Sequence, residues 1–469
     1  MDPQSTALCP EWQPLANGAG RTRTLAAAAG LHLQRVNRED IVFIPVCLAE
    51  LLPPEHLARQ LWRLVDEVLD LSAFYAARVV REGQRGRPAI DPKILVALWL
   101  FATMQGVQAA RDVARLCVEH LAYIWLCGGV AVSDHTLSDF RVQHVDALDA
   151  LLTWVVQTMA VAGLVDWQLV AHDGMRVRAS AGGGSFHRQP TLAAHLAQAQ
   201  AQRTAAKATQ QAPETDTAPR ACTRAGRAAR VRAAQGRVAR LHQALAELPA
   251  AEAAKVRNGQ PRDQARVSST DPQARVMKMA DGGFRPAYNW QLASDSLCDV
   301  IVGVAVSAIG GDQALLVPML EEILHRYGHL PRYWAVDGGF LKLEVLEAWD
   351  TQVTILSPTP KPKDAAREAQ RYVPLPTDSP AVAAWRTRMG TDEAKVLYQQ
   401  RAAIAELSNA QARTENGVQQ SVVRGLIKVW CTALWMALAH NLRIWLRQAF
   451  ASPSPAASSA VVEGGTQSL

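Results

Sequence analysis

The chain has 469 residues, of which 49% are hydrophobic and 20% are charged, with a net charge of +6 and a pI near 9.0. This composition excludes a disordered or fibrous chain, and the length predicts two or three structural units. The seven cysteines are scattered and form no Cys-x-x-Cys pair, which argues against a disulfide framework or a structural zinc site and favours a reducing compartment. Without a signal segment or an apolar run of membrane-spanning length, we expect a cytoplasmic protein with no membrane partner.

The N-terminal third predicts an irregular arm followed by helices. Residues 1–40 are polar and lack a pattern, whereas residues 41–165 repeat apolar side chains at helical spacing and predict an all-α domain. This domain is the expected DNA-binding domain if two of its helices read DNA. Its helices are predicted at 54–81, 93–104, 109–120, 136–143 and 145–162. Asp91 and Ser133 are expected to cap the second and fourth of them.

Two of these helices could form a helix-turn-helix. Residues 108–117 would be the first helix and residues 134–141 the second, with Arg141 among the side chains that contact DNA. The connection is long for that motif, so a simple pair of packed helices remains the alternative.

From Asp166 the pattern becomes that of alternating strands and helices, which predicts an α/β layer over residues 166–450. Strands are predicted at 167–171, 175–180, 275–279, 284–293, 300–307, 333–336 and 353–356. Helices are predicted at 313–327, with Asp312 as its cap, and at 342–349, 391–413 and 429–450. Residues 357–390 are predicted as a loop and residues 451–469 as a disordered tail. The fold class is therefore mixed α+β.

A basic segment interrupts this layer. Residues 185–268 form a predicted helical insertion, and within 191–266 there are 13 Lys/Arg and 5 Asp/Glu, an excess larger than the net charge of the whole chain. Arg220, Arg224 and Arg227 lie four and three residues apart on one helical face. They predict either a clamp on the DNA backbone or a solvated basic helix.

Three carboxylates stand in settings that suit catalysis. Asp337 ends a short strand and is followed by two glycines, Asp173 follows another apolar strand, and Glu406 lies in a long helix. Three converging carboxylates repel each other unless cations lie between them. Oxygen ligands suit Mg²⁺, with Mn²⁺ as a substitute, and two such ions catalyse phosphodiester cleavage or transfer. Each aspartate alone could be a turn residue.

Seven short motifs in this order resemble the bacterial insertion-sequence DDE transposases, over about residues 86–446. They are Gly86-Arg-Pro-Ala-Ile-Asp-Pro92, Asp134-His-Thr-Leu-Ser-Asp-Phe-Arg141, Asp173-Gly-Met-Arg-Val-Arg-Ala179, Ser269-Thr-Asp-Pro272, Met279-Ala-Asp-Gly-Gly-Phe-Arg-Pro-Ala-Tyr-Asn-Trp-Gln291, Val336-Asp-Gly-Gly339 and Val423-Arg-Gly-Leu426. The resemblance implies a ribonuclease-H-like catalytic domain in which Asp173, Asp337 and Glu406 form the metal-binding DDE triad.

The helix that carries Glu406 also resembles the Tyr-x2-Arg-x3-Glu-x6-Lys signature of related transposases. Here the spacing is Tyr398-x2-Arg401-x4-Glu406-x6-Arg413, with one extra residue and an arginine in place of lysine. Arg413 shares a face with Glu406 and is expected to bind phosphate, or to form an ion pair with Glu406 or Glu415. Arg401 lies about 140° around the helix from Glu406 and is expected to face elsewhere.

Asp281, in its own Asp-Gly-Gly segment, is the alternative to Asp173 as a catalytic residue. We favour Asp173 because flanking strands explain Asp281 as a hairpin turn. Asn289 and Gln291 alternate on one strand and face either substrate or a neighbouring strand.

The expected function is transposition: binding to the terminal inverted repeats of the element, cleavage of its ends and joining to target DNA. The expected partner is double-stranded DNA, bound by a homodimer at the nucleoid. The alternatives are a structure-specific nuclease with the same carboxylates, or an inactive, transposase-derived DNA-binding protein.

Overall fold

A computed structural model describes residues 47–76, 89–210, 224–362 and 370–449. The predicted arm at 1–40, the predicted tail at 451–469 and Arg220 lie outside these residues. None of the described helices is long and apolar enough to cross a membrane.

The N-terminal region is helical, as predicted, but its helices divide differently. Within residues 47–76 and 89–165, the structure describes the α-helices α1 (Leu57–Glu67), α2 (Ser72–Ala76), α3 (Pro92–Met104), α4 (Ala110–Glu119), α5 (Leu121–Cys127), α6 (Asp134–Gln143) and α7 (Val145–Val161). The predicted caps form: Asp91 accepts a hydrogen bond from the Lys93 N–H, and Ser133 accepts one from the Thr136 N–H. The single helix predicted at 54–81 is wrong, because α1 ends at Glu67 and α2 follows.

The helix pair proposed to read DNA is α4 and α6. A complete helix that the sequence analysis missed, α5, lies between them along the chain, so they are not the consecutive helices of a helix-turn-helix. Arg111 of α4 lies 3.7 Å from Asp134 at the start of α6, and the two helices are in contact. The arrangement is that of packed helices.

A six-stranded mixed sheet follows. Its strands are β1 (Leu169–Arg178), β4 (Arg275–Lys278), β5 (Phe284–Asp295), β6 (Ile301–Ser307), β7 (Tyr333–Ala335) and β8 (Thr354–Leu356). The strand β5 is antiparallel to β1 on one side and to β4 and β6 on the other, whereas β1, β7 and β8 run parallel to one another. The order is therefore β4-β5-β1-β7-β8, with β6 also paired to β5 and the first strand of the sheet, β1, at its centre.

The basic insertion leaves the sheet after β1 and returns before β4. Short strands β2 (Phe186–His187) and β3 (Val267–Ser268) pair at its base, and the helices α8 (Gln189–Gln210) and α9 (Arg224–Arg257) pack against each other above it. The two helices have a small hydrophobic core of their own, which includes Leu192, Leu241 and Leu248. Both helices lie within residues 185–268, which were predicted to be a helical insertion.

Helices cover the sheet. They are α10 (Leu316–Tyr327), α11 (Leu343–Trp349), α12 (Pro380–Met389), α13 (Asp392–Thr414) and α14 (Leu426–Ala449). The prediction of a loop throughout 357–390 is wrong, because α12 occupies its last ten residues and buries Trp385. Asp312 does not cap α10 with its side chain either; the N-cap residue is Leu315 and has no side-chain bond.

The helical region and the sheet share one hydrophobic core, and α14 joins them. The indole of Trp435 on α14 donates to the carbonyl of Arg141 on α6 over 3.1 Å. The amide of Asn441, also on α14, bonds to both the N–H and the carbonyl of Ile301 on β6. Because α14 is buried against both regions, the helical region and the sheet hold each other in place.

Candidate active site

Two of the three predicted catalytic residues lie side by side. The strands β1 and β7 pair in parallel, with Ala171 opposite Ala335. Asp173 and Asp337 each follow two residues after these alanines, in the same direction. Asp337 also accepts a hydrogen bond from the Gly339 N–H over 2.7 Å, which fixes the turn after β7. The two carboxylates therefore lie next to each other at the edge of the sheet where β7 ends, although β1 itself continues to Arg178.

The helix α13 packs across this edge and supplies two partners to Asp173. Arg401 donates to Asp173 Oδ1 and Asn409 donates to Asp173 Oδ2, each over 2.9 Å. A further bond between the hydroxyls of Ser294 and Ser408, 2.8 Å long, ties α13 to β5. The prediction that Arg401 faces elsewhere is therefore wrong. Arg401 and Glu406 do lie about 140° apart around α13, but Arg401 is on the side of the helix that faces the sheet.

Burial and charge act in opposite directions on Asp173. Burial raises the pKa of its carboxyl, the Arg401 guanidinium lowers it, and the negative charges of Asp337 and Asp312 raise it. The net result is a pKa above the usual value for aspartate. A cation placed at this carboxylate would therefore relieve a real electrostatic cost.

Asp312, which was predicted to be a helix cap, is the centre of a polar network beside the site. Its Oδ1 accepts from Asn289 over 2.7 Å and from Gln291 over 3.0 Å, and its Oδ2 accepts from Arg176 over 2.8 Å. Asn289 and Gln291 are buried on β5 and serve this network, which answers the question of what they face. Gly174 is required here, because a Cβ at its position would lie 2.5 Å from Asp312 Oδ1.

His172 precedes Asp173 and is fully buried. Its ring lies 4.7 Å from that of Phe340 and 5.7 Å from that of Trp334, centroid to centroid. Burial lowers the pKa of His172 to about 3, so the imidazole is uncharged at neutral pH.

Glu406 is not brought to the two aspartates. It is an exposed residue of α13, about 60° around the helix from Asn409 and about 140° from Arg401. Arg413 is exposed on the same side of the helix as Glu406. Of the two ion pairs considered for Arg413, the one with Glu415 does not form, since Glu415 pairs with Arg443.

Asp281 lies in the exposed turn between β4 and β5. Its carboxylate accepts from the Gly283 N–H over 3.0 Å and pairs with Arg285, whose hydrogen bond lowers the pKa of Asp281. These are the contacts of a turn residue. Asp173, in contrast, is in the centre of the sheet next to Asp337.

Two arginines assigned to DNA contact are buried. Arg141 is 6% exposed; its guanidinium lies 4.6 Å from the ring centroid of Trp99 and donates to the Gln108 carbonyl. Arg227 is 8% exposed on α9. Both predicted phosphate contacts are therefore wrong: long side chains that could reach DNA instead fill interior positions. Arg224 is exposed at the start of α9.

Two of the sequence motifs meet at a buried contact near the insertion. Asp271 Oδ1 accepts from the Tyr288 hydroxyl over 2.7 Å and from the Gly425 N–H over 3.1 Å. The side chain of Gln273 accepts from the Leu426 N–H over 2.8 Å. Gly425 has φ +92°, a left-handed conformation that favours glycine. The two motifs together fix the start of α14.

Among the described residues, no three Asp, Glu, His or Cys side chains are grouped as a metal site. The donors at the sheet edge nevertheless suit a hard cation: two carboxylates and the Oδ1 of Asn409, which is buried without a hydrogen-bond partner. The absence of cysteine and ionisable histidine from this set disfavours a softer metal.

Two family models match the chain. A model described as "Transposase domain (DUF772)" matches residues 46–143, the region of α1 to α6, and a model described as "Transposase DDE domain" matches residues 365–445, which include α12, α13 and most of α14. No curated protein matched the chain. Both models describe parts of transposases.

These two matches support an insertion-sequence transposase of the DDE type. Enzymes of this family act with divalent metal ions. The matched DDE region contains α13, which carries Arg401, Glu406 and Asn409.

Proposed function

We propose that this chain binds the terminal inverted repeats of its own element and catalyses metal-dependent cleavage and strand transfer of DNA. The observation that carries the proposal is the placement of Asp173 and Asp337 on adjacent parallel strands beneath α13. A central first strand, flanked by an antiparallel hairpin and two parallel strands, is also the arrangement expected of a ribonuclease-H-like core.

The proposed cation ligands are Asp173, Asp337 and Glu406. Two bound Mg²⁺ or Mn²⁺ ions would activate the attacking oxygen and stabilise the leaving oxygen at phosphorus. Glu406 lies beside Asn409 on α13, so a small rotation or shift of this helix on DNA binding would bring its carboxylate toward the aspartates.

The remaining residues position the site. Arg401 and Asn409 hold Asp173 in one rotamer, so that its carboxylate is preorganised at the sheet edge. Arg413, exposed and seven residues after Glu406, would contact a DNA phosphate next to the site. Arg224 at the start of α9 would contact the DNA backbone at a second place.

The experiment is an end-cleavage assay on labelled DNA that carries the element's inverted repeats, with Mg²⁺ or Mn²⁺. We expect Asp173→Asn and Asp337→Asn to abolish cleavage and to bind the same DNA with wild-type affinity. Asp281→Asn is the matched control and should cleave normally.

Each outcome has a meaning. An active Asp173→Asn and an inactive Asp281→Asn would reverse the assignment of the first aspartate. A wild-type enzyme that cleaves without joining ends to target DNA would be a nuclease, and one that only binds DNA would be the inactive derivative.

A further inference from the structure

A strongly basic groove lies at the base of the insertion, outside the candidate active site. It has a volume of about 1060 Å³ and is bounded by β2 and the end of α9 on one side and by β4 and residues 308–311 on the other. Seven Lys or Arg side chains line it, and none of its lining residues is Asp or Glu. We call this feature the insertion groove.

Four of the seven cations have no ion-pair partner in the described part of the chain: Arg188, Arg257, Arg266 and Lys278. All four are exposed. The other three are engaged, since Arg176 pairs with Asp312, Arg275 pairs with Glu247, and Lys255 donates to Gln260. Like charges gathered without carboxylates repel one another, which is a cost to the folded chain that a bound polyanion would remove.

Several of the residues that line the groove between the cations have small side chains or none. Gly183, Ala254, Ala265 and Gly310 are among the lining residues, so a sugar–phosphate backbone could approach the protein main chain closely. The cations come from separate elements, β1, β4, α9 and the segments beside β2 and β3. Together they line one groove and do not form a single charged helix face.

The groove adjoins the polar network beside the candidate active site, because Arg176 belongs to both. Arg176 is three residues after Asp173 on β1, and its guanidinium bonds to both the Gly310 carbonyl and Asp312. The charge of Asp312 in turn acts on Asp173. A duplex in the groove would therefore pass next to the network that borders the catalytic edge.

We infer that the insertion groove binds the phosphate backbone of duplex DNA and guides it to the Asp173–Asp337 edge. The inference rests on the proposed function of the chain as an enzyme of DNA, and it deepens it by locating the substrate path. It also reassigns the role of the insertion. The main DNA contact that we infer lies at its base, in addition to the contact proposed for Arg224.

The test compares two variants of the full chain that lose the same charge. The groove variant carries Arg188→Gln, Arg257→Gln and Arg266→Gln. The control variant carries Lys207→Gln, Arg230→Gln and Arg232→Gln, three exposed insertion residues that do not line the groove. Binding of a fluorescent duplex of arbitrary sequence is measured against salt concentration, with EDTA present so that cleavage plays no part.

Each phosphate contact releases condensed counterions and contributes about 0.9 to the slope of log K against log salt. We expect the slope of the groove variant to fall by about 2.7 and that of the control variant to stay at the wild-type value. Unchanged slopes in both variants, or an equal fall in both, would overturn the inference.

A second measurement on the wild-type chain guards against a variant that does not fold. Duplex DNA should slow amide hydrogen exchange at residues 255–266 and 275–278 relative to residues 228–236. Protection that is absent from the groove segments would overturn the inference. A wild-type chain that binds no duplex at all would remove the proposed function as well, whereas a chain that binds DNA but fails to cleave it leaves the groove intact.

Discussion

Arg401 of α13 donates a hydrogen bond to Asp173 of β1 over 2.9 Å, so a guanidinium is in contact with the carboxylate that we propose to be catalytic. The two side chains are 15% and 24% exposed. Breaking such a partly buried pair leaves an uncompensated charge and two aspartates that repel each other. The contact also joins α13, which carries Glu406, to the strand that carries Asp173.

The first prediction concerns this pair. In metal-free buffer, Arg401→Ala should lower the free energy of unfolding by about 1–3 kcal/mol, because the Asp173 charge loses its counterion. Urea unfolding measures the change, and Arg401→Lys should lose less. Mn²⁺ should raise the melting temperature of Arg401→Ala more than that of the wild type, since the ions then replace the missing cation. Equal increments in both proteins would contradict this account.

The second prediction decides which carboxylate completes the metal site. Asp312 already accepts three hydrogen bonds, so we expect it to be structural and Glu406 to be the third ligand. Glu406→Gln should weaken Mn²⁺ binding by roughly 10–100-fold or more, measured by calorimetric titration. Asp312→Asn should lower the melting temperature and leave Mn²⁺ affinity near the wild-type value. The opposite pattern would make Asp312 the third ligand.

The third prediction concerns the start of α14. Asp271→Ala leaves the Tyr288 hydroxyl and the Gly425 N–H without their acceptor in a buried place, and should cost about 2–4 kcal/mol of stability. Tyr288→Phe removes only one donor and should cost about 1 kcal/mol. Denaturant unfolding of both variants gives the comparison. An Asp271→Ala variant as stable as Tyr288→Phe would show that the acceptor is not needed.

The fourth prediction is a pH dependence of stability. Burial raises the pKa of Asp295 to about 6, against the opposing hydrogen bonds from the N–H groups of Leu297 and Trp167. The folded chain therefore binds this proton more tightly than the unfolded chain. The stability that it contributes is present below about pH 4 and is lost as the pH rises to about 6.

The measurement is the free energy of unfolding of wild type and Asp295→Asn from pH 4 to 7. The difference, wild type minus variant, should fall by about 2–3 kcal/mol over this range, because asparagine does not titrate. A difference that stays constant or grows with pH would contradict the raised pKa.

The sequence predicted what depends on local pattern. The turn at Asp337 after its short strand, the caps at Asp91 and Ser133, and the hairpin turn at Asp281 all follow from residue order, and the structure contains each of them. Such features are set by neighbours in the chain, which a sequence displays directly. The strand end predicted at Asp173 is wrong, because β1 continues to Arg178 and stays paired with β5 there.

What the sequence could not predict depends on which surfaces meet. The rotation of α13, which turns Arg401 to the sheet and leaves Glu406 exposed, is set by packing against β1 and β5. Asp312 sits at a position where a helix cap is equally plausible, and only its tertiary partners reveal its role. The burial of Arg141 against Trp99 could not be predicted either, because arginine side chains are mostly exposed in proteins.

The strands β2 and β3 pair with Phe186 opposite Ser268, so the two ends of the insertion lie next to each other. The entropic cost of closing a segment whose two ends lie close together rises only slowly with the length of the segment. The region between these strands is thus free to shrink to a turn or grow by whole helices in descendants of this chain, while β1 and β4 keep their places. Natural variation in this lineage should therefore appear here first as changes in length, with the sheet edge that holds Asp173 and Asp337 unaltered.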